Sequence, residues 1–239
     1  MKKVGIVIVV YNLDSRIFIL QIEAIRKFCK DDNYWILIYD NSDDPDKAEA
    51  IRYHAQLLKV NAYRRTHAES GDYSRSHAFS ASMAFRDIHK EHDYLFFLDH
   101  DCLPVKPFSV VDILGQDIVM AGLGQGLKDH TYFWPGCVMW NNNIVDKELI
   151  NFYPEPPLDT GAGLREVIKE YGEDKCIFFD ESYWGNPYYT EGKYNYYSML
   201  HNCTFMHFVN SSNWNTIPDN DRRINSLITI AKQKIDDSK

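Results

Sequence analysis

The sequence predicts an α/β fold, a three-layer sandwich around a mostly parallel central sheet. Three observations predict it. The runs Val4 to Val10, Tyr34 to Tyr39 and Tyr94 to Leu98 are almost continuously apolar, as strands buried on both faces are. Stretches with apolar residues at helical spacing separate them. Each run ends in polar residues, at Tyr11-Asn12, Asp40-Asn41-Ser42-Asp43 and Asp99-His100-Asp101. Open sheets of this kind bind ligands at the carboxyl ends of their strands.

The elements follow in order. Val4 to Val10 is the first strand. Asp14 or Ser15 can cap a helix to about Phe28, with Ile17, Leu20, Ile22, Ala24, Ile25 and Phe28 at roughly helical spacing. Tyr34 to Tyr39 is the second strand, and Asp46 to Leu58 the next helix. A short strand near Val60 and a polar loop come next. Tyr73 to Lys90 reads as a helix packing through Ala78, Ala81, Ala84, Phe85 and Ile88. Tyr94 to Leu98 closes this half.

The second half is less regular. Ile118 to Ala121 and Thr131 to Trp140 read as strands, the latter interrupted by Pro135-Gly136. A helix is expected from about Asp159-Thr160-Gly161 to Tyr171, then a strand from Lys175 to Phe179. Residues 182–200, rich in tyrosine, read as a loop or hairpin. Thr204 to Val209 is the last strand. Residues 221–235 form an amphipathic helix with Ile224, Leu227, Ile228, Ala231 and Ile235 on one face.

The bulk numbers limit the function. The chain has 239 residues, 45% hydrophobic and 25% charged, without a linker or repeat. A single domain is expected, with residues 1–105 as one half and 106–239, including the C-terminal helix, as the other. A net charge of −8 argues against nucleic-acid binding, which needs a basic face. The cysteines Cys29, Cys102, Cys137, Cys176 and Cys203 form no CxxC pair and are odd in number. Reduced thiols in a cytoplasm are the simplest expectation. The start Met1-Lys2-Lys3 before an apolar run superficially resembles a secretion signal. The run is short, however, and lacks a small-residue cleavage site.

Asp99-His100-Asp101 carries the chemistry. Alternate residues point the same way, so Asp99 and Asp101 can face one point. Clustered carboxylates repel each other and resist desolvation, and a hard divalent cation removes both costs. Oxygen ligands suit Mn2+ or Mg2+.

With these motifs in order, the chain resembles the GT-A glycosyltransferases, Rossmann-like nucleotide-diphospho-sugar transferases, and especially their family-two group. Val7-Ile8-Val9-Val10-Tyr11-Asn12 looks like the family's first strand and Tyr-Asn turn. Ile38-Tyr39-Asp40-Asn41-Ser42 looks like its second strand with an Asp-x-x-Ser ending. Asp99-His100-Asp101 looks like its metal-binding Asp-x-Asp. The family's Gly-xxx-Ala-Arg-Asn is kept in spacing only, with Gly71 before Arg75-Ser76-His77. The likeness is good over residues 3–105 and weak beyond.

The resemblance implies a metal-dependent, inverting glycosyltransferase with a UDP-sugar as favoured donor and a saccharide or lipid-linked acceptor. It implies polysaccharide synthesis for the cell envelope at a cytoplasmic location. Donor-binding roles fall to Tyr11, Asn12, Asp40 (for uracil), Arg75, His77, Asp99 and His100. Metal-binding roles fall to Asp99, Asp101 and a late histidine, His207, with His201 as rival. The base that inversion requires falls to Asp159 at a helix start, where a plain N-cap would serve as well. Asp180 and Glu181 are its rivals.

Other readings stay open. Tyr183, Trp184, Tyr188, Tyr189, Tyr194, Tyr196 and Tyr197 can stack on sugars or pack a hairpin. Trp134-Pro135-Gly136 can border an acceptor site or bend a strand. Arg222, Arg223, Lys232 and Lys234 flank the apolar face of the last helix, which can rest on an anionic membrane or pack internally. Asp99 also fits the nucleophile of a haloacid-dehalogenase-type phosphatase. A sugar-binding module without catalysis is the third reading.

Overall fold

A computed structural model describes residues 1–66, 72–127, 130–191, 195–209, 217 and 219–238. The elements in chain order are β1 (Val4–Val10), α1 (Ser15–Phe28), β2 (Tyr34–Asp40), α2 (Pro45–Leu57), β3 (Ala62–Arg65) and α3 (Tyr73–Ile88). They continue as β4 (Tyr94–Asp99), β5 (Cys102–Pro104), α4 (Val110–Leu114), β6 (Met120–Leu127), β7 (His130–Asn141) and α5 (Arg165–Tyr171). The chain closes with β8 (Cys176–Phe179), β9 (Glu181–Gly185), β10 (Tyr196–Leu200), β11 (Phe205–His207) and α6 (Asn220–Asp237).

The central sheet has seven strands in the order β3-β2-β1-β4-β7-β6-β8. It is mostly parallel: β7 runs antiparallel to both neighbours, and every other pairing is parallel. All of β1 is buried. Val4, Ile6, Ile8 and Val10 pack one way, with residues of α1 and α6. Val7 and Val9 pack the other way, with Ala78, Ala81, Ala84 and Phe85 of α3. Two apolar faces explain why the strand lacks alternation. The register pairs Val10 with Asp40 and Val9 with Asp99. The polar ends of β1, β2 and β4 therefore meet at one sheet edge.

A second sheet has four antiparallel strands in the order β5-β11-β10-β9. The sequence reading finds its hairpin and last strand but not β5, which is three residues long. It also misses α4, five residues capped by the Ser109 side chain and too short for periodicity. The expected interruption at Pro135-Gly136 does not end β7. The ladder shifts register between Gly122 and Gly124, and residues 134–136 are skipped by both neighbours. A proline without an N–H fits such a gap.

The C-terminal helix packs internally. Ile224, Leu227, Ile228, Ile230 and Ala231 lie in the core. Arg223 is fully buried, and its Nη2 donates to the Val209 carbonyl at 2.5 Å. Of the two readings of its apolar face, membrane contact and internal packing, the face takes internal packing. Among the described residues no helix is long and apolar enough to cross a membrane.

Candidate active site

A cavity of about 350 Å³ opens where the two sheets meet, within the usual range of small-ligand pockets. Its walls include Tyr11, Asn41, His77, Asp99, His100, Asp101, Trp134, Asp159, Glu181 and His207. Three separate stretches of chain thus deliver carboxylates to one space.

The turn after β4 is held from below. Gln21 of α1 is fully buried, and its Nε2 donates to the carbonyls of Asp99 (2.7 Å) and Cys102 (2.6 Å). The His100 ring lies against the Val9 carbonyl, Nδ1 to O 3.2 Å. The Phe208 N–H donates to the Asp101 carbonyl, which brings β11 alongside. His207 Nε2 consequently lies 3.6 Å from Asp101 Oδ2. His207 Nδ1 is 3.4 Å from Ser198 Oγ on β10, and the Trp134 ring stands 4.7 Å from the His207 ring. A Cβ on Gly136 would fall 2.1 Å from that indole, so the ring keeps its seat only beside a glycine. His201, the rival, packs instead on Phe179 at 4.2 Å and is not part of the cavity wall.

Helix α3 supplies a second wall. His77 Nε2 lies 2.7 Å from Asp99 Oδ1. Burial works against charging this imidazole, but Asp99, with Asp159 and Asp101, outweighs it and raises its pKa. His207 shows the same balance: burial opposes the charge, and Asp101, Asp99 and Glu181 outweigh it. One turn before His77, the Ser74 hydroxyl donates to Asp159 Oδ1.

The three carboxylates suggested as base part company here. Asp159 lines the cavity, and its Oδ1 takes bonds from Ser74, the Thr160 N–H (2.7 Å) and the Thr160 hydroxyl (3.4 Å). Its Oδ2 accepts no hydrogen bond from the described residues. Glu181 also lines the cavity, but the Tyr183 hydroxyl donates to its Oε2 at 2.8 Å. Asp180 is not in the wall; its Oδ1 accepts from the Asn202 N–H at 2.8 Å.

The expected donor residues divide as well. Tyr11 lines the cavity, edge-on to Tyr73 at 5.4 Å, and its hydroxyl donates to Asp43 at 2.9 Å. Asn12 has φ 45° and holds Asp43 and the Asp44 N–H, outside the cavity wall. Arg75 is exposed and faces Asp72 at 3.4 Å. Asp40 is fully buried. The Tyr63 hydroxyl donates to its Oδ2 (2.7 Å), the Ser42 N–H to its Oδ1 (2.9 Å), and Arg65 stands 3.5 Å away. As placed, that carboxylate has no face open to a uracil. Its neighbour Asn41 reaches the cavity instead, with Nδ2 donating to Ser76 at 2.6 Å.

Several wall residues were not singled out from the sequence: Asn41, Tyr73, Ser74, Gln125 and Thr160. Of the aromatic run, Tyr183 and Tyr196 line the cavity, 5.6 Å apart and edge-on. Trp184 points away, under Lys234. Gly71 and Tyr194 lie outside the described residues. The phosphatase alternative needs Asp99 after the first strand of the sheet, whereas it ends the fourth strand in chain order.

The architecture is the GT-A nucleotide-sugar transferase fold. A mannosyltransferase from Pyrobaculum calidifontis, solved in complex with GDP-Man and Mn2+, superposes with TM-score 0.52 at 14% identity over 74% of this chain and 54% of its own. The chain thus spans about half the length of that protein. A glucosyl-3-phosphoglycerate synthase from Mycobacterium tuberculosis, bound to Mn2+, UDP and glucosyl-3-phosphoglycerate, gives 0.48 at 14% identity, covering 74% and 69%. TarS from S. aureus gives 0.43 at 14% identity, covering 71% and 33%. No family model and no curated protein sequence matches the chain.

Proposed function

We propose that the chain is a metal-dependent, inverting glycosyltransferase that takes a sugar from a nucleotide-diphosphate donor. One observation carries this reading. In a GT-A fold, Asp99, Asp101 and His207 line one cavity together with an anchored carboxylate, Asp159.

The donor set suits a divalent ion. Two carboxylates and an imidazole offer oxygen and nitrogen ligands, which Mn2+ accepts and Mg2+ accepts less readily at the imidazole. As they stand, no three His, Cys, Asp or Glu side chains among the described residues converge to hold an ion. Asp99, Asp101 and His207 would hold it together with oxygens of the donor. When bound, the ion supplies positive charge against the diphosphate leaving group.

The protein's own residues do the rest. The Asp159 carboxylate takes the proton from an acceptor hydroxyl. That oxygen then bonds to the anomeric carbon as the carbon–diphosphate bond breaks, its electron pair leaving with the diphosphate. A base on the face opposite the leaving group gives inversion. Tyr11 and Tyr73 offer ring surface to the nucleobase, and Tyr183 and Tyr196 to a sugar. UDP is the favoured nucleotide and a saccharide or lipid-linked sugar the acceptor. A cytoplasmic location and a role in envelope polysaccharide belong to the same proposal.

The test is a thermal-shift screen of nucleoside diphosphates and their sugars with and without Mn2+. A ligand of the folded state raises its apparent stability. A metal-dependent shift, followed by transfer or hydrolysis of the sugar, is expected. Binding without turnover across an acceptor panel would point to the binding-module reading. No shift with any nucleotide would overturn the proposal.

A further inference from the structure

Ser74 and His77 sit three residues apart near the start of α3, so they share one face of the helix. Each touches a different acidic group across the cavity. The Ser74 hydroxyl donates to Asp159, on the loop before α5, and His77 Nε2 meets Asp99 at the end of β4 at 2.7 Å. The link to the loop is doubled, because the Thr160 hydroxyl donates back to the Ser74 carbonyl at 3.0 Å. The helix N-terminus is itself fixed, with Asp72 capping the Arg75 N–H at 3.0 Å. One helical face therefore bridges the nucleotide half and the acceptor half at their two reactive carboxylates.

Two of the imidazoles in the cavity wall, His207 and His77, differ in surroundings. His207 has Ser198 Oγ 3.4 Å from its Nδ1, the kind of outer partner that orients a metal-ligating histidine. His77 Nδ1 is buried without a hydrogen-bond partner among the described residues. A histidine whose ring has Asp99 Oδ1 as its one hydrogen-bond partner among the described residues is built to hold that carboxylate.

We propose that Ser74 and His77 are positioning residues, which together set the separation between the base Asp159 and the metal-side carboxylate Asp99. The inference rests on the roles given to Asp159 and Asp99 above. The two residues act on different steps. Ser74 governs the chemical step through the aim of Asp159, and His77 governs ion affinity through the aim of Asp99.

The experiment compares the full chain with Ser74→Ala, Ser74→Thr, His77→Ala and His77→Gln. Mn2+ and Mn2+ plus UDP are titrated by calorimetry. Turnover is read as nucleoside diphosphate release from a panel of UDP- and GDP-sugars, and melting temperature reports folding. Ser74→Ala is expected to lower kcat about tenfold or more with Mn2+–UDP affinity unchanged, and Ser74→Thr to restore it. His77→Ala is expected to weaken Mn2+ binding about tenfold, and His77→Gln, which keeps a donor, to recover part of it. Unchanged kcat in Ser74→Ala overturns the inference. So does parallel loss of kcat, affinity and melting temperature that the conservative variants fail to rescue. Wild-type protein that neither binds Mn2+–UDP nor releases any diphosphate overturns the underlying function, and the inference with it.

Discussion

Gln21 on α1 clamps the backbone of the Asp99–Asp101 turn, its Nε2 shared between the carbonyls of Asp99 and Cys102. The residue is fully buried, so no water can replace it. Gln21→Leu leaves two carbonyls short of a donor and is expected to cost about 2–6 kcal/mol, since each orphaned buried group costs roughly 1–3. Urea denaturation checks this. An unchanged midpoint would show the turn to hold itself.

Asp101 is the metal-side carboxylate nearest His207, and only 6% exposed. Asp101→Asn keeps the volume and removes the charge. Mn2+-dependent binding of UDP or GDP is expected to weaken about tenfold or more, a loss of about 1.4 kcal/mol. Calorimetry with wild-type affinity in the variant would remove Asp101 from the metal site.

The two candidate bases in the cavity wall, Asp159 and Glu181, can be separated by kinetics. Asp159→Asn is expected to lower kcat by about 10²- to 10⁴-fold while donor affinity is kept. Glu181→Gln is expected to change kcat far less, because Ser74 and Thr160 both fix Asp159, whereas among the described residues Glu181 is held only by the Tyr183 hydroxyl, two residues away on the same strand. The reverse ranking would make Glu181 the base.

His92 gives a pH signature away from the cavity. It is 5% exposed, with its Nδ1 on the Ile88 carbonyl at 3.1 Å. Burial disfavours the imidazolium, and nearby Lys3 adds to this, so its pKa lies below the ordinary 6.5. The unfolded chain then binds more protons. The stabilisation is fully present above pH 6.5 and is lost as pH falls through 6.5 toward the lower folded value. Denaturant midpoints are expected to drop on acidification in wild type and less in His92→Gln. Equal pH slopes would sink the idea.

The aromatic stack behind the sheet is a stability element. Phe97 stands 4.9 Å from Trp140 and 5.1 Å from Phe152, rings stacked. Phe152 is also the residue whose carbonyl accepts the Gly161 N–H at 2.7 Å, next to Asp159 and Thr160. Phe152→Ala is expected to cost about 3–5 kcal/mol. A calorimetric melt no lower than wild type would contradict this.

The first half of the molecule was legible because its strands are buried on both faces. Such strands appear in sequence as unbroken apolar runs, and their polar ends mark the ligand edge. Asp99 and Asp101 follow from that logic. The second sheet was harder, because β5 and β11 are three residues each, too short to show a period, and β5 ends in a proline. Asp40 shows a different limit. Its motif reads as a binding residue, yet Tyr63 and Arg65 from β3 close over it, and no local pattern announces that. Ser74 was invisible for a similar reason: its partner lies 85 residues downstream.

One glycine hydrogen helps determine how large a guest the cleft can admit. Trp134 leans over Gly136 and against His207, and its indole forms part of the cavity wall. A single methyl at position 136 would evict the ring from that seat. The aperture is therefore tunable by the smallest possible change, at a residue that never touches the guest. Drift at this position can reshape the cavity with no change to any of the carboxylates that line it.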